Sequence, residues 1–179
     1  MRLLLLLLPM IVHAQTPLDR ELIVAAERGD ARAVEQLIKR GANVNAKDDK
    51  QDSAFLIAAA RGRTEVVKLT LAAGADLKST NRYGGTGLIP ACHYGHLETV
   101  KLLLTTKIDV NHVNNLGWTA LLEAVILGDG GATHTEIVRL LLAHGADPRI
   151  ADRDGVTPLQ HAKRRNYAAM VKILTPPQR

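Results

Sequence analysis

Residues 81–111 read Asn81-Arg82-Tyr83-Gly84-Gly85-Thr86-Gly87-Leu88-Ile89-Pro90-Ala91-Cys92-His93-Tyr94-Gly95-His96-Leu97-Glu98-Thr99-Val100-Lys101-Leu102-Leu103-Leu104, then Thr105-Thr106-Lys107-Ile108-Asp109-Val110-Asn111. The pair Gly84-Gly85 predicts a turn, and Gly95 predicts a break between two short helices. The second helix carries Leu97, Val100, Leu103 and Leu104 at the i, i+3, i+4 spacing of a buried stripe. Two helices this short cannot bury their apolar faces alone, so the unit needs copies of itself on both sides.

The copies are present. Asp48, Asn81 and Asn114 open equivalent units 33 residues apart, and Asp152 opens another 38 further on, because five extra residues fall inside the fourth unit. Inter-helix glycines recur at Gly29, Gly62, Gly95 and Gly128; turn glycines recur at Gly41, Gly74 and Gly145, each followed by Ala and then Asn or Asp. The phrases Ser53-Ala54-Phe55-Leu56, Thr86-Gly87-Leu88-Ile89, Thr119-Ala120-Leu121-Leu122 and Thr157-Pro158-Leu159-Gln160 stand at matching places. This pattern resembles the ankyrin repeat, whose core phrase is Thr-Pro-Leu-His-x-Ala, from about Leu18 to Leu174. The resemblance implies an all-α solenoid of about five helix-turn-helix repeats with short β-turn fingers, spanning 15–47, 48–80, 81–113, 114–151 and 152–174.

Composition agrees with a long, thin core: 46% of the 179 residues are apolar but only 3% aromatic. The net charge of +5 is modest, its lysines and arginines are spread along the chain, and no stacking aromatics interleave with them, so nucleic acid is not an expected partner. A single cysteine, Cys92, excludes an intrachain disulfide and reads as a small buried hydrophobe.

At the start, Met1-Arg2 precedes Leu3 to Leu8 and then Pro9-Met10-Ile11-Val12-His13-Ala14. A charged start, a short apolar run and the small residues Val12 and Ala14, three and one before a cut after Ala14, are the pattern of a secretory signal peptide over 1–14; the alternatives are an uncleaved N-terminal anchor or a wrongly assigned start. The run is shorter than the ~20 residues a bilayer span requires, so no stable membrane insertion is expected after cleavage. The domain then occupies 15–174, and 175–179, with Pro176-Pro177, forms a frayed tail.

Several positions depart from the pattern. Asp19 is expected to cap the first helix. Gln51 stands where the turn usually has Gly, so it must adopt a conformation that suits glycine. Phe55 replaces Leu. Lys107 replaces the helix-ending Gly; a left-handed backbone there costs Lys roughly 1 kcal/mol, so Lys107→Gly should stabilise. Gly128 to Thr133 forms a glycine-rich, flexible surface insertion, and Asn166 replaces the last inter-helix Gly.

No catalytic or metal motif stands at diagnostic spacing, so the chain is read as a non-enzyme without cofactor or metal. His93 and His96 are separated by Gly95, which argues against a shared metal; His112, His134, His144 and His161 read as exposed polar positions. The family resemblance implies that partners are gripped by turn tips and the inner faces of first helices. Carried over by position, that surface includes Arg82, Tyr83, His93, Tyr94, Asn115, Leu116, Trp118, Arg153 and Asp154. The expected function is non-enzymatic protein binding by a monomer, in the periplasm or exported space. Lys78 to Thr86 and Val113 to Ala124 look like small exported bacterial ankyrin proteins, which suggests a stress-protection adaptor. The alternative is a small ligand or anion held by Arg82, Tyr83 and Trp118.

Overall fold

The structure, a computed structural model, describes residues 15–176. The expected signal segment, 1–14, and the last three residues of the tail lie outside the described residues. Among those described, ten helices follow one another and no strand occurs: α1 (Pro17–Arg28), α2 (Ala31–Lys39), α3 (Ala54–Ala60), α4 (Thr64–Ala72), α5 (Leu88–His93), α6 (Leu97–Leu104), α7 (Ala120–Ile126), α8 (Ala132–Ala143), α9 (Pro158–Arg164) and α10 (Ala168–Leu174). First helices pack in the row α1-α3-α5-α7-α9 and second helices in the row α2-α4-α6-α8-α10, with each pair joined across the rows. One continuous apolar cluster runs the length of this double row, from Leu22 through Phe55, Leu88 and Leu121 to Met170.

Each helix pair buries a stripe that its neighbours complete. Val34 and Leu37, Val100 and Leu103, and Ile137, Val138 and Leu141 fill the second row. Repeat two differs: Leu69 and Leu71 are only partly buried, and Thr70 takes the buried place with its hydroxyl donating to the Val66 and Val67 carbonyls. The first helix starts earlier than the Asp19 reading implies. Thr16 is its cap, accepting from the Asp19 amide, while the Asp19 carboxylate accepts from the Thr16 and Asn43 amides. Burial raises the Asp19 pKa, but these hydrogen bonds win and hold it below the usual carboxylate range.

Four fingers share one construction. Asp48, Asn81, Asn114 and Asp152 each accept, through Oδ1, from the backbone amides two and four residues on. The turn requires a left-handed residue, supplied by Gly84, Gly117 and Gly155, and in finger 48–52 by Gln51 at φ +64°. Asn166 likewise takes the left-handed conformation at φ +57°.

Lys107 does not take the left-handed backbone expected of it. Its φ is not positive, because the α6 end is closed by side chains instead of a left-handed residue. Thr105 and Thr106 hydroxyls donate to the Leu102 and Leu103 carbonyls, and Thr106 Oγ1 accepts from the Ile108 amide at 3.2 Å. Helices α2, α4 and α8 instead end on Gly41, Gly74 and Gly145, with the Ala42, Ala75 and Ala146 amides reaching back to Leu37, Thr70 and Leu141.

Adjacent repeats are joined by a recurring contact at the inter-helix glycine. Arg63 lies on Gly29, His96 on Gly62, His134 on Gly95 and Tyr167 on Gly130, so close that a Cβ on any of these glycines would collide or crowd. Each overlying side chain also pairs with the carbonyl two residues before its glycine, at Glu27, Ala60, His93 and Gly128. In the fourth unit Gly130 has taken the role expected of Gly128. The insertion is therefore tied down: Asp129 Oδ1 accepts from the Gly131 amide at 2.8 Å and pairs with His134 Nδ1 at 2.9 Å, and Tyr167 clasps Gly128.

Candidate functional site

The fingers and the first-helix row enclose a concave groove of about 670 Å³. Arg82, Tyr83, His93, Tyr94 and Leu116 line it, together with Ile57, Pro90 and Glu123 from the inner helix faces. Asn115, Trp118, Arg153 and Asp154 do not. Asn115 and Arg153 are spent on stacking fingers: the Asn115 amide donates to the Tyr83 carbonyl at 2.8 Å, and Arg153 donates to the Asn115 carbonyl. The aliphatic part of Arg153 covers Gly117, and Trp118 is half-buried. Repeat register alone does not reveal whether a finger's side chain faces the groove or the next finger.

Of the six large apolar side chains exposed among the described residues, five line this groove: Val24, Tyr83, Tyr94, Leu116 and Leu127. Tyr83 is 52% and Tyr94 59% exposed. Charges surround them. Arg61 pairs with Glu27 at 2.9 Å. Arg82 lies 4.6 Å from the centroid of its own neighbour's ring, Tyr83, and donates to its hydroxyl. Asp52 is raised above the ordinary carboxylate range by burial and by nearby Asp48. The anion-binding trio of the alternative reading is not assembled: Arg82 and Tyr83 face the groove and Trp118 does not.

The groove also contains a residue the sequence reading passed over. Glu123 of α7 is 5% exposed. Asn114 Nδ2 donates to one of its oxygens at 3.1 Å, and the other lies 3.5 Å from His93 Nδ1. That separation exceeds a charge-assisted hydrogen bond. Burial, with lesser help from His134, lowers the His93 pKa. Burial likewise pushes Glu123 up to about 7, against the pull of Asn114. Both groups thus move toward their neutral forms, and they do not make a strong ion pair. A signal was available in the sequence. The fifth place of the repeated phrase holds Ile57, Pro90, Glu123 and His161 in turn, so an acid stands there once.

The histidines divide differently from expectation. Among the described histidines only His144 is exposed; His112, His134 and His161 are partly buried and engage Gly84, Asp129 with His93, and Asp152. His96 bonds the Ala60 carbonyl of the preceding repeat, in line with its expected structural role. Cys92 is fully buried, and desolvation pushes its thiol pKa up, which removes it from thiolate chemistry. Among the described residues no group of three or more His, Cys, Asp or Glu could hold a metal ion, and no helix is long and apolar enough to cross a membrane.

The family described as "Ankyrin repeats (3 copies)" matches residues 22–114, 55–150 and 107–178. The chain belongs to the ankyrin-repeat family. The crystal structure of an ankyrin repeat domain from Acinetobacter baumannii AYE is similar with a TM-score of 0.85 and 52% sequence identity, over 90% of this chain and 86% of that one. A second crystal structure of an ankyrin repeat protein gives a TM-score of 0.83 and 41% identity, over 86% of this chain and 78% of that one. The Escherichia coli ankyrin repeat protein YahD is 44% identical over 52 residues, 29% of this chain and 26% of YahD, so the match spans about a quarter of that relative. Ankyrin repeats are in general a fold for protein–protein interaction, which gives the concave groove its plainest reading.

Proposed function

We propose that this ankyrin-repeat chain is a non-enzymatic protein-binding module of the periplasm or exported space, and that it grips its partner in the concave groove. The observation that carries the binding half is the gathering of Val24, Tyr83, Tyr94, Leu116 and Leu127 on one concave surface. Exposed aromatic anchors ringed by polar groups are the usual anatomy of a binding hot spot. The location rests on the sequence of residues 1–14, and a narrower role as a stress-protection adaptor rests on resemblance to small exported ankyrin proteins.

Capture from the exported fraction tests the binding half. The double variant Tyr83→Ala, Tyr94→Ala should lose partner yield by a factor matching ~1–4 kcal/mol, with its helical circular dichroism intact. Trp118→Ala should retain partner yield, since Trp118 lies outside the groove. Full yield from the tyrosine double variant would remove the groove as the docking surface. Fractionation tests the location: a full-length, uncleaved chain in the cytoplasm would overturn it.

A further inference from the structure

One end of the groove is built differently from the rest. Between α5 and α7 its floor is Glu123, whose side chain is more than nine-tenths buried. Helices α5 and α7 and finger 114–118 contain no Lys or Arg, and among the described residues Glu123 has no Lys or Arg ion-pair partner. Repeat five shows the same pair of positions satisfied internally: His161 Nε2 meets the Asp152 carboxylate at 2.7 Å, where repeat four has Glu123 and Asn114. Repeats two and three hold Ile57 and Pro90 there, so the fold itself does not call for an acid. A buried carboxylate without a counter-charge is costly.

The walls above Glu123 are apolar and aromatic. The His93 and Tyr94 rings stack with centroids 4.2 Å apart and planes 10° from parallel. Leu127 lies one helical turn beyond Glu123, and Leu116 two residues beyond Asn114 on the finger; both are exposed and line the groove with Tyr94. An apolar channel ending on a buried carboxyl that has no Lys or Arg partner among the described residues fits a cation carried on an aliphatic stem, whose charge would hold the carboxyl ionised. Its geometry separates the two cationic side chains. Asn114 donates to one Glu123 oxygen and His93 Nδ1 stands 3.5 Å from the other, so the two-oxygen edge that a guanidinium would use is already shared with these neighbours. A guanidinium gains most from a carboxylate by bonding both oxygens in parallel, whereas an ammonium acts as a point charge and needs only one.

We propose that this end of the groove is a subsite for a lysine side chain of the bound protein, with Glu123 accepting from the ammonium and Tyr94, Leu116 and Leu127 covering the methylene stem. The proposal rests on the groove being the docking surface. It is tested by titrating the isotope-labelled chain with acetyl-Gly-Lys-Gly-amide, with the same peptide acetylated at Nζ, and with its arginine counterpart, following backbone amide shifts by nuclear magnetic resonance. The lysine peptide should move the His93, Tyr94 and Leu116 amides. Acetylation should weaken it about tenfold or more, the loss of a charge-assisted hydrogen bond, and Glu123→Gln should abolish the difference. Equal binding of the acetylated peptide, tighter binding of the arginine peptide, or no groove shifts at millimolar lysine peptide would each overturn the subsite. The wild-type comparison of free and acetylated peptide needs no variant to fold. Partner capture separates the two readings: full capture by Glu123→Gln alongside loss in the tyrosine double variant sinks the lysine subsite and leaves the docking groove standing.

Discussion

Single residues carry strain here that their neighbours do not. Gln51 holds φ +64°, where the three sister fingers have glycine. Gln51→Gly should therefore raise the melting temperature, by up to ~1 kcal/mol of stability, since the left-handed backbone penalises a side chain more than glycine's extra chain entropy costs. Lys107→Gly should do the reverse and lower it by about 0.5–1 kcal/mol, because no left-handed residue is needed beside the Thr105 and Thr106 hydroxyl caps. Paired thermal melts of the two variants check both signs.

Glu123 gives the second residue-scale expectation. Its folded pKa of about 7 lies above its ordinary 4.5, so the folded chain holds a proton that the unfolded chain releases earlier. The stability associated with neutral Glu123 is full below pH 4.5 and is lost as pH rises toward 7, by up to ~3 kcal/mol. His93, its neighbour on α5, acts in the opposite direction: burial lowers its pKa, so stability falls as pH drops below its ordinary 6.5. Glu123→Gln should be more stable than wild type at pH 8 and equal to it at pH 4. Chemical denaturation at the two values decides; a variant no more stable at pH 8 contradicts the buried, uncompensated carboxylate.

At the scale of the element, α5 is the irregular helix, and Pro90 and Gly87 explain why. In α3, α7 and α9 the residue at the Pro90 position donates its amide to the Ser53, Thr119 or Thr157 carbonyl. Proline has no amide to give. The Thr86 carbonyl takes the Ile89 amide at 3.2 Å instead, and the Thr86 hydroxyl, a helix cap in the sister repeats, is buried without a partner. Gly87, the α5 cap, lies against Phe55: a Cβ there would stand 3.0 Å from the Phe55 ring and 3.2 Å from Ala59. The Phe55 departure visible in the sequence is thus matched by a missing side chain one repeat away. Gly87→Ala should destabilise by about 1–2 kcal/mol through overpacking. With Phe55→Leu present the same change should become neutral or favourable, and a double-mutant cycle should show coupling above ~0.5 kcal/mol. Additive effects would mean the ring yields freely.

At the scale of the molecule, the row of repeats is held by contacts between neighbours, so each inter-repeat contact contributes to the stability of the whole. His96→Ala removes a ring packed on Gly62 and its bond to Ala60 in the interior. Tyr167→Phe keeps the ring on Gly130 and loses only the hydroxyl bond to Gly128 near the C-terminal end. The second should cost about 1 kcal/mol and the first more, since it loses ring packing as well as a bond; denaturant melts read both, and a smaller loss from His96→Ala would contradict the ring packed on Gly62.

Periodicity by itself determined the number of repeats, the register of their helices, the finger positions and most of the buried stripe. These follow from spacing along the chain, because each repeat meets its neighbours in the same way every time. The left-handed turn at Gln51 was legible for the same reason, since glycine fills that place in the other fingers. The tertiary structure alone decided where a side chain points when two directions share one register. It turned Tyr83 and Tyr94 into the groove and gave Asn115 and Arg153 to finger stacking. It closed α6 with threonines where a glycine was expected, and it fastened the glycine-rich insertion through Tyr167. It also placed Glu123 on the groove floor without a Lys or Arg partner among the described residues, because burial and pairing are properties of packing in space and not of order along the chain.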